Sequence, residues 1–170
     1  MFRWPVRHPG LGTLVFVLVV PTTAIGYLPY ALTGWLARPP LFPGARGLGI
    51  ALFVAALPLF VAFNLRFVFE GGGTPAPIAP TRHLVVGGPF RYLRNPGYVA
   101  VLALVTAQGL VLGSVRVLAY AGALLVVFHL FVVLYEEPTL RQRFGSEYDR
   151  YCRRVPRWFP GLQRRSHSTL

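Results

Sequence analysis

Long apolar stretches constrain the fold of this chain more than any other feature of its sequence. A helix needs about 20 apolar residues to cross the roughly 30 Å hydrocarbon core of a bilayer. Four stretches approach or exceed that length, and the sequence therefore predicts an all-α integral membrane protein with four transmembrane helices in a single domain. The predicted spans are residues 10–36, 48–69, 96–113 and 115–135.

Proline and glycine refine these spans. Pro21 and Pro29 predict kinks in the first span, and Pro58 lies inside the second. Only Gly113 and Ser114 separate the third span, which is short, from the fourth. This spacing predicts a tight antiparallel hairpin in which Ser114 is the N-cap of the fourth helix.

The charged residues are few and mostly of one sign. Only 13% of the residues are charged, against about 25% in soluble domains, and 17 basic residues, all arginine, accompany five acidic ones. Fourteen arginines fall on the side that both termini and the middle loop would share, and three fall on the other side. Because positive residues remain in the cytoplasm, we predict that both termini and the loop 70–95 are cytoplasmic.

The same pattern excludes other classes. Arginines that flank apolar spans do not form the basic soluble face that nucleic acid requires, so we expect a membrane partner and no nucleic acid. The single cysteine, Cys152, excludes an intrachain disulfide and a cysteine-cluster metal site, and we expect no metal. The N-terminal apolar run is too long for the hydrophobic region of a cleavable signal peptide, so we expect none.

The connecting segments differ in character. Residues 70–81 contain three glycines and three prolines and are not expected to be helical; they form either a plain linker or a loop shaped around a ligand. Residues 138–160 predict an interfacial helix with arginines suited to anionic headgroups and with a break at Gly145 followed by a new cap. Its apolar stripe at helical spacing is Leu140, Phe144, Tyr148, Tyr151 and Val155.

The segment GPFRYLRNPGY, residues 88–98, concentrates polar and aromatic residues where the third span begins. A residue before proline avoids α conformation, so Asn95 is the expected N-cap, with Pro96 in the first turn. The N–H groups of that turn, flanked by Arg91 and Arg94, would make an anion site on the cytoplasmic side. The alternative is that both arginines only anchor the span at the interface.

Acidic residues end the fourth span. Glu136 and Glu137 lie at the negative end of the helix dipole, where a cation should compensate them. That cation is either a positively charged ligand or an arginine of the protein, Arg141 or Arg94. His129 lies seven residues before Glu136, hence on the same helix face. It is either functional or bonded to a neighbouring helix, and the same alternatives apply to Asn64 and Gln108.

Two of these segments, at their mutual spacing, resemble the isoprenylcysteine carboxyl methyltransferase family, integral-membrane enzymes related to the phospholipid N-methyltransferases. They are RHLVVGGPFRYLRNPGY and EEPTLRQRFGSEYDRYCRRVPRWFP, and the resemblance covers about residues 64–160. The family uses S-adenosylmethionine, which has a positive sulfonium and a zwitterionic methionine end. By resemblance, its contacts are Arg82, His83, Leu84, Val85, Phe90, Arg94, Asn95, Pro96, Gly97, Tyr98, Glu136 and Glu137.

Three positions depart from the family pattern. Phe90 stands where tyrosine is usual, and Asn95 stands where a histidine is usual, so that position carries no titrating proton. By resemblance, Val132 occupies the position at which the eukaryotic prenylcysteine enzymes have a substrate-binding arginine. Without that arginine we do not expect a prenylcysteine carboxylate as substrate, and we expect a different lipophilic acceptor.

The sequence therefore favours a membrane methyltransferase that moves a methyl group from S-adenosylmethionine to a lipophilic small molecule or lipid, with oxygen preferred to nitrogen as the accepting atom. A phospholipid N-methyltransferase is the alternative. An alternative of another class is a non-catalytic four-helix membrane protein that binds anionic lipid through its basic tail. An acceptor that loses a proton needs a base, for which His129 and Tyr98 are the candidates. The resemblance implies that a monomer can suffice, and a dimer through the first two spans stays open.

Overall fold

The computed structural model describes Val19 and residues 21–69 and 84–160, with the side chains of residues 67–69 left aside. Every regular element in these ranges is helical. Helix α1 consists of a π-helical segment, Thr22–Tyr27, followed by Leu28–Thr33; the others are α2 (Ala45–Phe69), α3 (Pro96–Leu112), α4 (Val115–Phe144) and α5 (Ser146–Arg154), with a 3₁₀ turn at Gly88–Arg91.

Two of these helices are long and apolar enough to cross a bilayer. They are Ala45–Arg66 within α2 and the whole of α4, with mean hydropathies of 2.3 and 2.6. Only 11% and 17% of their most apolar windows are buried inside the protein. So much exposed hydrocarbon is unfavourable in water and favourable in lipid. Helix α3 is equally apolar but shorter, at 17 residues, and four transmembrane helices stay a prediction.

The predicted spans agree with the helices in part. Helix α3 matches its prediction to within one residue, and α2 begins three residues earlier than predicted. The described part of the first span ends at Thr33, before the predicted residue 36, and most of residues 10–20 lie outside the description. The largest difference is at α4, which continues nine residues past the predicted end at Tyr135. Residues 138–144 therefore extend α4, and the separate helix of the tail is α5 alone.

A wider helical turn allows α4 to pass through Pro138. A proline ring inside a helix clashes with the carbonyl of the residue four positions earlier. Residues Val132–Glu136 adopt π geometry just before Pro138, and Thr22–Tyr27 do the same just before Pro29. Since the wider turn moves the preceding carbonyls away from the ring, both helices continue. The predicted break at Gly145 is confirmed, although Ser146 begins α5 without acting as its cap.

Helix α3 lies at the centre and packs against α2 on one side and α4 on the other. Glycines allow the close approach on both sides. A Cβ on Gly49 of α2 would lie 2.8 Å from the carbonyl oxygen of Ala107, and one on Gly109 would lie 2.5 Å from the side chain of Leu118. The hairpin turn then reverses the chain at Gly113, and Ser114 accepts a hydrogen bond from the Val117 N–H, which confirms the predicted N-cap.

The helices place the described arginines of the two groups at opposite ends of the bundle. The segment after α1 lies against the α3–α4 turn, where the Arg38 N–H donates to the Leu112 carbonyl and the Arg46 guanidinium donates to the Arg38 carbonyl. Arg94 and helix α5 lie at the other end. The assignment of the arginine-rich end to the cytoplasm stays a prediction.

Side chains of α3 and α4 bond two carbonyls of the turn before Pro29. Pro29 has no N–H, and the change from π to α geometry at Leu28 skips one further acceptor, so the carbonyls of Ile25 and Ala24, four and five residues before Pro29, need other donors. The Gln108 amide nitrogen Nε2 donates to the Ile25 carbonyl at 2.9 Å, and the Tyr120 hydroxyl donates to the Ala24 carbonyl at 3.1 Å. Gln108 therefore ties α1 to α3.

This pairing predicts a coupling between Gln108 and Pro29. Gln108→Leu leaves the Ile25 carbonyl without a donor and should lower the free energy of unfolding by about 1 kcal/mol. In a Pro29→Ala background the new N–H supplies a donor, so the same Gln108→Leu change should cost clearly less. Thermal unfolding of the four proteins in detergent measures the difference; equal costs in both backgrounds would contradict the pairing.

Candidate functional site

Hydrogen bonds join the loop before α3 to the tail after α4. The Tyr151 hydroxyl of α5 donates to the Phe90 carbonyl at 2.8 Å, and burial raises the pKa of Tyr151, which keeps this donor protonated. The Arg94 N–H donates to the Pro156 carbonyl at 2.9 Å, and the Asn95 side chain donates to the Arg157 carbonyl at 3.2 Å. The two segments that the sequence singled out are therefore in direct contact.

Glu137 is the centre of a buried ion cluster. Its side chain is 5% exposed and accepts from Arg94 at 2.8 Å and from Arg157 at 2.7 and 3.0 Å. Arg141, one turn along α4, lies at 3.8 Å. The hydrogen bonds to Glu137 raise the pKa of Arg157 above its usual value. Glu137 thus takes its cations from the protein. Nη1 of Arg94 donates to Glu137 and Cys152, whereas its buried Nε has no hydrogen-bond partner among the described residues.

Glu136 has a different environment from its neighbour. Successive residues of a helix point in different directions, so when Glu137 faces the arginines, Glu136 faces the start of α3. Its Oε2 accepts a hydrogen bond from the Tyr98 hydroxyl at 3.0 Å, and the side chain is half-buried. Among the described residues no arginine or histidine pairs with Glu136. It is a carboxylate positioned for a cation that the described part of the protein does not supply.

The first turn of α3, which contains Tyr98, has backbone N–H groups without an intrahelical acceptor. Asn95 is the N-cap residue as predicted, but its side chain makes no capping bond because it donates to Arg157. Pro96 has no N–H, so the N–H groups of Gly97 and Tyr98 are the donors of this turn. Gly97 is packed closely, since a Cβ there would lie 2.5 Å from the Phe63 ring. The turn is suited to an anionic group.

Aromatic rings connect this site to the tail. The Tyr98 ring lies 4.7 Å from the Phe128 ring and 6.5 Å from the Trp158 ring. The Trp158 indole N–H donates to His129 Nδ1 at 3.3 Å. Because an indole only donates, Nδ1 carries no proton and the imidazole is neutral with its proton on Nε2. His129 in this arrangement is a hydrogen-bond donor and is not placed to accept a proton.

An apolar groove of about 510 Å³ lies between α3 and α4 next to these rings. Trp158 and Phe159 cover its end near Tyr98, and His129 contributes its polar group. The other lining residues are aliphatic: Val99, Leu102, Leu125, Val126 and Leu130.

The structure separates the predicted cofactor contacts into groups. Asn95, Pro96, Gly97, Tyr98 and Glu136 lie together. Arg94 and Glu137 belong to the ion cluster. Phe90 is buried with its ring 6.0 Å from Phe63. Leu84 and Val85 precede the 3₁₀ turn and are partly buried, whereas Arg82 and His83 lie outside the described residues.

Sequence reasoning missed the contributions of Arg157, Trp158 and Phe128. A signal for the first two was present, because Pro156 and Pro160 bracket them and prevent them from continuing a helix. The predicted interfacial helix over residues 138–160 includes them instead. Phe128 offered no signal, since it is one of many apolar residues in its span.

Comparison with known families gives one match. The model of a family described as phospholipid methyltransferase matches residues 48–147, more than half of the chain. The matched region contains both Tyr98 and Glu136 and ends before Trp158. No curated protein matches the chain. The narrower resemblance to isoprenylcysteine carboxyl methyltransferases stays a prediction.

The two adjacent carboxylates should respond differently to the same substitution. Glu137→Gln removes the charge that Arg94 and Arg157 share, and breaking a buried pair of this kind costs on the order of 3 kcal/mol. Glu136→Gln keeps an acceptor for Tyr98 and should cost less than about 1 kcal/mol. Thermal unfolding in detergent distinguishes the two variants. Equal losses of stability would show that Glu137 does not have the special role assigned to it.

Proposed function

The chain belongs to the phospholipid methyltransferase family, a family of integral-membrane methyltransferases, and we propose that it transfers a methyl group from S-adenosylmethionine to a lipophilic acceptor beside Tyr98 and Glu136. The observation that carries the proposal is the 3.0 Å hydrogen bond between these two side chains. It joins the start of α3 to the C-terminal part of α4, and it is the one hydrogen bond of the Glu136 carboxylate among the described residues.

The residues at this site fit the charges of the proposed cofactor. When bound, S-adenosylmethionine supplies an electrophilic methyl group on a positively charged sulfur. Glu136 would attract its cationic groups, and the N–H groups of Gly97 and Tyr98 would hold its carboxylate. Arg94 and Glu137 would act indirectly, since their mutual ion pair fixes the loop. The contacts proposed for Arg82, His83, Leu84 and Val85 rest on the family resemblance alone.

Alignment and exclusion of water are the main tasks of the protein in such a transfer. The rings of Tyr98, Phe128 and Trp158 form an apolar wall beside Glu136. A surrounding of low polarity favours a transition state in which positive charge is dispersed. The aromatic wall would therefore favour the transfer through its low polarity, and no side chain of the protein needs to form a covalent bond to the methyl group.

Tyr98 is the proposed proton acceptor where the methyl acceptor has a proton to lose. Its hydroxyl hydrogen points to Glu136, which leaves the lone pairs of the phenol oxygen free. The acceptor's lone pair would form the new bond to the methyl carbon as the methyl–sulfur bond breaks, with its electron pair left on a neutral thioether sulfur. The acceptor's proton would pass to the Tyr98 oxygen and the Tyr98 proton to Glu136. His129 does not compete for this role while Trp158 holds its Nδ1.

The charges near the site disfavour a carboxylate as the methyl acceptor. Arg94, Arg141 and Arg157 are engaged with Glu137, and Val132 is buried at 1% exposure and offers no cation. A lipophilic acceptor with a hydroxyl group agrees with the predicted preference for oxygen. It also avoids the repulsion that a carboxylate acceptor would meet at the Glu136 carboxylate. A phospholipid amine is the second candidate, which the description of the matched family and the unpaired carboxylate of Glu136 both favour.

Binding of the cofactor should depend on Glu136. Calorimetry of the detergent-solubilised protein with S-adenosylmethionine should show saturable binding, and Glu136→Gln should raise the Kd at least about tenfold, or ~1.4 kcal/mol. Glu147→Gln is the matched control, because Glu147 is an exposed carboxylate on α5 outside the site. It should bind like the native protein.

The outcomes of this experiment separate the classes of function. Saturable binding lost only in Glu136→Gln supports the methyltransferase. Absence of binding by the native protein would contradict the proposal and favour the non-catalytic protein that binds anionic lipid through its basic tail.

Removal of the Tyr98 hydroxyl should slow transfer without abolishing cofactor binding. Proton transfer by a positioned group contributes about 10²- to 10⁴-fold, so Tyr98→Phe should lower kcat at least about 100-fold while the Kd for S-adenosylmethionine stays within a few-fold. Transfer of labelled methyl to a total lipid extract measures the rate, and Tyr135→Phe, an exposed tyrosine of α4, is the control. An unchanged rate would show that the acceptor has no proton to lose at Tyr98.

A further inference from the structure

The groove between α3 and α4 opens to the outside of the bundle. Its walls include Leu125, Val126 and Leu130, whose side chains are 47%, 57% and 50% exposed. The two helices touch near their turn, at Gly109 and Leu118, and are separated by the Tyr98 and Phe128 rings at the other end. The groove is therefore a depression that the surrounding hydrocarbon chains of a bilayer can enter sideways.

The size and lining of the groove fit one chain. A volume of about 510 Å³ lies in the range of small-ligand sites. Neighbouring helix axes lie about 8–10 Å apart, so a depression between them is one chain wide. Apart from the Trp158 indole and the His129 imidazole, the described lining residues have hydrocarbon or plain aromatic side chains.

His129 gives the groove one polar donor. Its Nδ1 accepts from Trp158, so its proton is on Nε2. Among the described residues this N–H has no hydrogen-bond partner. In a lipid environment such a donor requires an oxygen from the ligand or the bilayer. Seven residues separate His129 from Glu136, which is about 10 Å along a helix.

We propose that the groove binds the acyl chain of the methyl acceptor, with the carbonyl oxygen at the head of that chain accepting from His129 Nε2. This inference rests on the proposed function and names the class of acceptor, an acylated lipid whose reacting group lies about 10 Å from a chain carbonyl. Continuity with the site favours the acceptor over a bulk lipid, because Trp158 lines the groove and its ring lies 6.5 Å from that of Tyr98.

Adjacent valines of α4 provide a matched pair of variants. Val126 and Val127 are equally exposed, at 57% and 58%, but only Val126 is a lining residue of the groove. Val126→Trp should fill the groove, whereas Val127→Trp adds the same bulk to a face away from it. Leu102→Trp fills the groove from α3 and guards against a folding defect of the first variant.

The acceptor in this test is a total polar lipid extract diluted to known mole fractions in nanodiscs of phosphatidylcholine, whose own amine is fully methylated. Labelled S-adenosylmethionine reports the transfer. Val126→Trp should raise the KM for the extract at least tenfold and leave the Kd for S-adenosylmethionine unchanged, and Leu102→Trp should do the same. Val127→Trp should behave like the native protein.

A second pair tests the carbonyl. His129→Leu should raise the KM for the extract at least threefold, and His129→Gln, which keeps an N–H donor, should restore part of that loss. If Val126→Trp and Leu102→Trp raise the KM but His129→Leu does not, the acyl assignment is overturned in favour of a chain without a carbonyl, such as an isoprenoid.

The remaining outcomes are equally decisive. If Val126→Trp and Val127→Trp are indistinguishable, the groove holds only bulk lipid and the inference is wrong, although the proposed function survives when the native protein binds S-adenosylmethionine and transfers its methyl group. If the native protein does neither, the proposed function fails and the acceptor assignment fails with it.

Discussion

The ion cluster around Glu137 is the interaction on which the rest of the candidate site depends. A buried carboxylate is tolerated only when it is paired, and Glu137 obtains its partners from the loop before α3, through Arg94, and from the tail, through Arg157. Those two segments are thereby held together at the C-terminal part of α4. Because the arginines are engaged in this way, Glu136, the adjacent residue, is left with a hydroxyl and no guanidinium among the described residues.

The other constraint comes from lipid as the solvent. Backbone groups within a bilayer must be bonded internally, yet prolines remove donors from both α1 and α4. Wider π turns accommodate Pro29 and Pro138, and Gln108 and Tyr120 bond two carbonyls of the turn before Pro29. These polar residues connect α1 to the two helices that carry the site. A proline in the first helix is thus linked to the stability of the helices on either side of the groove.

Hydropathy predicted the helices well where a single physical signal dominates. The bounds of α3 followed from Pro96 and Gly113, and Ser114 is the cap that its position indicated. The juxtaposition of Tyr98 and Glu136 was different, because no local pattern relates residues 38 positions apart, and it was expected only from the family resemblance. The extension of α4 could not be predicted, since a proline usually indicates a helix end and the widened turn that tolerates it leaves no mark in the sequence.

The fate of two polar residues shows why a site is harder to predict than a span. Helical periodicity placed His129 on the face of Glu136, but the π turn between them changes that register, and the structure pairs His129 with Trp158. Trp158 in turn adjoins Tyr98. Trp158 of the tail therefore bonds Nδ1 of the imidazole, which leaves Nε2 as the free nitrogen among the described residues, and its ring forms part of the aromatic wall beside Glu136. In the proposed reaction, a charged methyl donor from the aqueous side and a hydrocarbon chain from the bilayer would meet next to this indole ring, because Trp158 both lines the groove and adjoins Tyr98.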